Sequence, residues 1–242
     1  MTDTNQAQTS PPVTEHVLFV SQRERQGPVT TRTKILNGFG AIPGQHKDFA
    51  FNTLLLLYYS QILGLSASWA SLALGASLVI DAISDPLVGG WSDNFRSRFG
   101  RRHPFMLAAI VPTVLSFYAL FHPPQEFTGT ELAAWMLTFT ILTRLSFTFF
   151  AVPWAAMSAE LSHRYEERTS IQTYRVAVGW FVGVVFTFAM YALIFPPTES
   201  DSSGLLNPES YAPFGTVVSL LISIWMLITA LATLDQRPYL AR

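Results

Sequence analysis

Six mainly apolar stretches of about 20 residues follow one another along the chain, each long enough to cross a ~30 Å hydrocarbon core as an α-helix. They run roughly over 43–63, 68–91, 104–121, 132–157, 174–195 and 213–233, with short polar breaks between them. The break from Pro196 to Ala212 is the longest. The third and sixth stretches carry no charge, whereas the first, second, fourth and fifth are interrupted by polar or charged side chains. This pattern predicts an all-α integral membrane protein, a bundle of six transmembrane helices over 35–235.

The positions of the basic residues orient the bundle. Of 15 Lys and Arg, Lys47, Arg144 and Arg175 fall within spans. The others precede the first span (Arg23, Arg25, Arg32, Lys34) or follow the second (Arg96, Arg98, Arg101, Arg102), the fourth (Arg164, Arg168) and the sixth (Arg237, Arg242). With alternating crossings these all lie on one side, which the positive-inside rule makes cytoplasmic. Both termini are then inside, with residues 1–34 a polar, disordered cytoplasmic tail and 236–242 the start of a cytoplasmic linker. A soluble helical protein has no reason to sort its charge in this way.

Composition agrees. Charged residues make up 13% of the chain, against about 25% in soluble domains. The net charge of −1 offers no field for nucleic acid. With no cysteine there are no disulfides, thiolate metal sites or Cys nucleophiles. The five histidines lie in tails, loops or span edges, and no HExxH, Gly-x-Ser-x-Gly or nucleotide-binding glycine loop occurs, so an enzyme is not expected.

An ionisable group near the bilayer centre costs at least about 2.5–3.5 kcal/mol, so each one is a functional candidate. Asp81 and Asp85, four apart, share a helix face with Ser84 beside them. Two carboxylates and a hydroxyl suit a hard monovalent cation, or a shared proton, because like charge raises one of the two pKa values. No other metal and no cofactor is expected; the coupling ion is H+ or Na+. Arg144 and Thr148, also four apart, lie at matching depth on span four, where Arg144 can pair with Asp81 and Thr148 can face the same cavity or bond back to its own helix. Asp48 can accept hydrogen bonds from sugar hydroxyls, with Lys47 beside it. Lys47 and Arg175 lie near enough to the cytoplasmic boundary for snorkelling to be the alternative. Trp154 reads as packed interior rather than as a sugar platform. Asp93 can latch to Arg96, Arg101 and Arg102 and so gate the cytoplasmic face.

These residues fall in runs with a family resemblance. Asn37-Gly38-Phe39-Gly40-Ala41, Lys47-Asp48-Phe49-Ala50, Tyr58-Tyr59 and Gly64-Leu65-Ser66 resemble the start of the melibiose permease family, the glycoside–pentoside–hexuronide:cation symporters of the major facilitator superfamily. Asp81-Ala82-Ile83-Ser84-Asp85-Pro86-Leu87-Val88-Gly89, with the basic run to Arg102, is its most specific stretch. Val152-Pro153-Trp154, Glu160-Leu161, Glu167-Arg168-Thr169 and Tyr174-Arg175 fit the fourth-span end and fifth-span start.

The resemblance implies cation-site positions at Asp81, Ser84, Asp85 and Thr148, and sugar-contacting positions at Asp48 and Arg175 with Lys47 adjacent. It implies cation-coupled symport of a sugar or glycoside by alternating access in a plasma (inner) membrane. Two departures stand out. Ala151 replaces an acid found before the fourth-span proline step in sodium-coupled members, and Ala155 stands where the family's tryptophan falls, with Trp154 next to it. The family has twelve spans in two bundles with substrate between them, so this chain's cavity charges imply an opposite wall, a C-terminal six-helix half or a second chain. Other readings are a carrier of another amphiphile such as a lysolipid, and a non-transporting assembly or sensor subunit.

Overall fold

The computed structural model describes residues 27–239 except 96, 98, 99, 163, 199 and 200, with side chains to 236. Every regular element among them is helical. The first membrane element is composite: α1 (Thr31–Gly38), a 3-10 turn (Phe39–Ala41), α2 (Ile42–Phe49), a π segment (Ala50–Leu54), α3 (Leu55–Leu57) and a second π segment (Tyr58–Ile62). The rest are α4 (Ala67–Asn94), α5 (His103–Leu120), α6 (Gly129–Glu160), α7 (Tyr165–Leu193) and α8 (Tyr211–Ala232). Five helical stretches, α4 to α7 and Pro208–Gln236 around α8, are long and apolar enough to cross a membrane. The composite helix is broken into pieces too short to be counted with them, and it carries Lys47 and Asp48.

Two predicted boundaries move. α1 starts at Thr31, inside the stretch read as tail, because the Thr30 hydroxyl caps it by accepting from the Thr33 amide at 3.3 Å. Ahead of it, Val29 is buried and donates its N–H to the Glu167 carboxylate at 2.7 Å. Residues 1–26 and 240–242 of the predicted tail and linker lie outside the described residues. α7 begins at Tyr165 rather than 174, since polar residues extend the helix past its apolar window. Its first turn carries Glu166 and Glu167, which favour the positive helix N-terminus.

α6 packs against α4 and α5, α5 packs also against α8, and α7 packs against α1 and α2. One end of the bundle is charged, with Asp93, Arg101, Arg102 and Glu160. The other is aromatic, with Tyr58 stacked on Tyr211 and Phe121 and Phe195 packed against Phe214. There the last carbonyls of α5, which no helical N–H can reach, accept from Tyr59 (Leu120, 2.8 Å), Tyr58 (Phe121, 3.4 Å) and Trp135 (Ala119, 3.0 Å). Toward the charged end, Gly40 lies flat on Trp154: a Cβ there would fall 2.2 Å from the indole nitrogen. That nitrogen donates to the Asn37 carbonyl at 2.9 Å, locking α1 to α6.

Candidate functional site

Asp81 lies halfway along α4 and Arg144 halfway along α6. At 1.5 Å per residue both sit about 20 Å from their helix ends, in the middle of any bilayer that the helices cross. The Arg144 guanidinium forms an ion pair with Asp81 through Nη1 and Oδ2. One turn further along both helices, Thr148 donates its hydroxyl to Asp85 Oδ1 at 3.1 Å. The two contacts step by four residues in the same sense, so α4 and α6 run parallel with these faces in register. The expected meeting of Asp81, Asp85, Arg144 and Thr148 is therefore present.

Ser84, the third residue expected on this face, bonds within its own helix. It is buried, and its hydroxyl donates to the Asp81 backbone carbonyl at 3.3 Å. A serine three residues on from a helical carbonyl satisfies itself locally before it reaches a neighbour. Asp81 Oδ1 is buried with no protein partner, and so is Arg144 Nε. Pro86 has no N–H to give to the Ala82 carbonyl, which leaves another backbone oxygen beside the carboxylates.

Phe51 was not singled out by the sequence. Its buried ring lies 4.9 Å from the Arg144 guanidinium carbon and 5.6 Å from the Lys47 ammonium. One aromatic thus touches two cations, a contact of about 0.5–2 kcal/mol for each. Lys47 also approaches Phe147 at 5.2 Å and pairs with Asp48 at 2.8 Å. It does not snorkel: its side chain is 11% exposed, while that of Asp48 is 56% exposed. Only the carboxylate of that pair faces outward. The signal for Phe51 was its spacing of four from Lys47, which is visible only once Lys47 is known to stay inside.

Arg175 occupies a different place. Its guanidinium lies 4.0 Å over the buried Trp154 ring and donates to Gln172 at 3.0 Å. It lines a small cavity of about 150 Å³ with Ala41, Gln45, Trp154, Gly179 and Trp180, and Lys47 and Asp48 lie outside that lining. The three predicted substrate residues are thus divided between two places. Trp154 is buried, yet its ring also lines that cavity.

At the charged end Arg102 holds Asp93 at 3.0 Å and Glu160 at 2.6 Å. Arg101 reaches Glu160 at 3.1 Å, but meets Asp93 only through its backbone carbonyl at 3.0 Å. Glu160 was missed as a charge partner because α6 runs past the predicted span end at 157 and delivers it to the start of α5. Arg96 lies outside the described residues. No group of three His, Cys, Asp or Glu with metal-site geometry occurs among the described residues.

Long apolar helices with paired charges at mid-depth define a multi-pass membrane protein whose polar groups face one another rather than lipid. The chain matches the family described as MFS/sugar transport protein over residues 36–242, and it belongs to that family. It is 29% identical over 184 residues to an uncharacterized symporter of Synechocystis, covering 73% of this chain and 32% of the relative. It is 28% identical over 195 residues to a putative glycoside/cation symporter of Escherichia coli (81% and 41%). It is 30% identical over 191 residues to the sodium-dependent lysophosphatidylcholine symporter 1-A of Danio rerio (77% and 36%). The chain therefore spans between 32% and 41% of the length of these relatives.

Proposed function

We propose that this chain forms one wall of a cation-coupled symporter that carries a sugar or glycoside by alternating access. The observation that carries the reading is the doublet of contacts at mid-depth, Asp81 with Arg144 and Asp85 with Thr148. Charges placed there are expensive, and the pairing leaves one carboxylate without a cationic partner. Asp85 with Thr148, and the open side of Asp81, receive the coupling ion. Asp48, supported by Lys47, and Arg175 in its own cavity contact the solute. The cluster of Asp93, Arg101, Arg102 and Glu160 opens and closes the cytoplasmic end. Both termini lie in the cytoplasm, the membrane is the plasma membrane, and the opposite wall comes from a second six-helix bundle in the same or another polypeptide.

The test is uptake of labelled glycosides into vesicles containing the full-length native protein, with imposed proton or sodium gradients. Asp85→Asn that inserts normally is expected to abolish gradient-driven accumulation. Unchanged accumulation would sink the ion site proposed at Asp85, and absence of accumulation by the unmodified protein would favour a non-transporting subunit. A second reading, transport of a lysolipid-like amphiphile, has support in the vertebrate relatives named as lysophosphatidylcholine symporters and in the sphingosine-1-phosphate transporter of Mus musculus. Competition of uptake by unlabelled lysolipid, but not by unlabelled sugar, would decide for it.

A further inference from the structure

We infer that Glu167 is a buried clasp that binds the chain ahead of the first span to the α6–α7 connection, so that opening of the charged end is transmitted to α1 and α7 together. Resting on the gate proposed above, this clasp supplies the link by which the gate reaches the rest of the wall. Glu167 is 8% exposed, and both of its carboxylate oxygens are occupied. Oε1 accepts the Val29 N–H at 2.7 Å, and Oε2 accepts the Ser162 hydroxyl at 2.6 Å. Among the described residues no lysine or arginine forms an ion pair with it. Its charge is met instead by these donors and by the N-terminus of α7, in whose first turn it stands. A backbone N–H as partner fixes where residue 29 lies, whatever its side chain.

Two further contacts carry the clasp along α1. Lys34 Nζ donates to the Ser170 hydroxyl at 2.9 Å, and a Cβ on Gly38 would lie 3.2 Å from the Tyr174 carbonyl oxygen. The partners 29 with 167, 34 with 170 and 38 with 174 advance in one sense, so α1 and α7 run parallel and are joined over about two turns. α1 leads into α2 with Lys47 and Asp48, and α7 carries Arg175. Ser162 is itself held: its hydroxyl accepts from the Arg164 amide at 3.1 Å, and its carbonyl accepts from Arg168 Nε at 2.8 Å. Only the buried Leu161 separates it from Glu160, which Arg101 and Arg102 hold. One short connection thereby takes both the gate contacts and the clasp. A shift at Glu160 reaches Val29 through Ser162 and Glu167.

The chain has no cysteine, so a single introduced thiol reports on this end of it. Ser158 is 1% exposed and donates to Asn37 Oδ1 at 3.1 Å, where α1 meets α6. In the full-length native protein, with any cysteine elsewhere replaced, Ser158→Cys is the reporter, read by its rate of labelling with a small thiol reagent. Adding Glu167→Gln or Ser162→Ala is expected to speed labelling by at least about tenfold, the weight of one hydrogen bond to a charged group. Glu160→Gln is expected to speed it as well. Because both sites act through one connection, Glu160→Gln and Glu167→Gln together are expected to do no more than the stronger of the two. A second reporter, Ser219→Cys, is enclosed in α8 toward its aromatic end and is expected to keep its rate in every variant.

An unchanged Ser158→Cys rate with both Glu167→Gln and Ser162→Ala would overturn the clasp. So would effects of Glu160→Gln and Glu167→Gln that multiply, or an equal rise at Ser219→Cys, which marks general loosening. If Glu160→Gln alone leaves the rate unchanged, it is the gate reading that fails, and with it the link from gate to clasp. The labelling needs no solute. If the unmodified protein accumulates none, the symport reading fails, and the two reporters still decide whether Glu167 ties the first span to the α6–α7 connection.

Discussion

Two arginine–carboxylate assemblies hold this bundle together, and they are built differently. At the charged end, two arginines share Glu160, and Asp93 is held by the Arg102 side chain and by Arg101 through its backbone. Loss of one contact leaves others among the same residues. At mid-depth a single guanidinium meets a single carboxylate, with Thr148 and Asp85 as a separate neutral contact one turn away. The difference lies in redundancy. At the charged end the links are shared: Arg102 and Glu160 are as enclosed as Arg144 and Asp81, but each has a second partner, so the loss of one link costs less. In the middle of a span every extra charge adds desolvation cost, so the number is kept to what the site uses.

Breaking each assembly in turn should expose that contrast. The largest effect is expected for Arg144→Ala, which leaves Asp81 uncompensated and should cost about 3–5 kcal/mol, seen as a lowered unfolding midpoint in detergent. Gly40→Ala tests the neutral contact between the two assemblies. Its Cβ cannot share space with the Trp154 indole, so the Asn37 bond must give way, at a cost of about 1–3 kcal/mol in the same assay. Arg101→Ala should cost clearly less than Arg144→Ala, since Arg102 keeps Glu160 and Asp93. A loss there as large as that for Arg144→Ala would mean that the two assemblies do not differ in redundancy.

The smallest effect concerns the loop before α8. The Asp201 carboxylate accepts from the Ser203 hydroxyl and amide and from the Leu206 amide, and these bonds hold it below the ordinary carboxylate range. A depressed value means that the loop's order is complete above the ordinary value and is lost as pH falls through the depressed one. Amide exchange at Ser203 and Leu206 should therefore stay protected at neutral pH and lose protection only on strong acidification.

Much of this was legible in the chain. Apolar run lengths located the long helices, and the four-residue spacings of Asp81 with Asp85 and of Arg144 with Thr148 anticipated their meeting. That step succeeded because parallel helices of similar length bring mid-span residues to one depth. What stayed hidden was set by packing. Ser84 turns inward to its own helix because the nearest acceptor is one turn back. Lys47 stays inside because Phe51, Phe147 and Asp48 together replace the headgroup region. Glu160 joins Arg101 and Arg102 because α6 outlasts its apolar window. The contact of Arg175 with Trp154 was hidden too, because it joins residues of two helices, α7 and α6, that no local spacing relates.

The two π segments of the composite helix have an angular consequence. Asp48 and Tyr59 are eleven residues apart, close to three full turns of an α-helix, so regular winding would set both side chains at nearly the same azimuth. Their environments are opposite: Tyr59 is wholly enclosed, and the Asp48 side chain is 56% exposed. The wider turns at Ala50–Leu54 and Tyr58–Ile62 take up extra residues and shift the phase between them. One rod can thereby serve as interior at its aromatic end and as an open wall at Asp48. Removing a single residue between Ala50 and Leu54 would swing that carboxylate around the axis by about 100°.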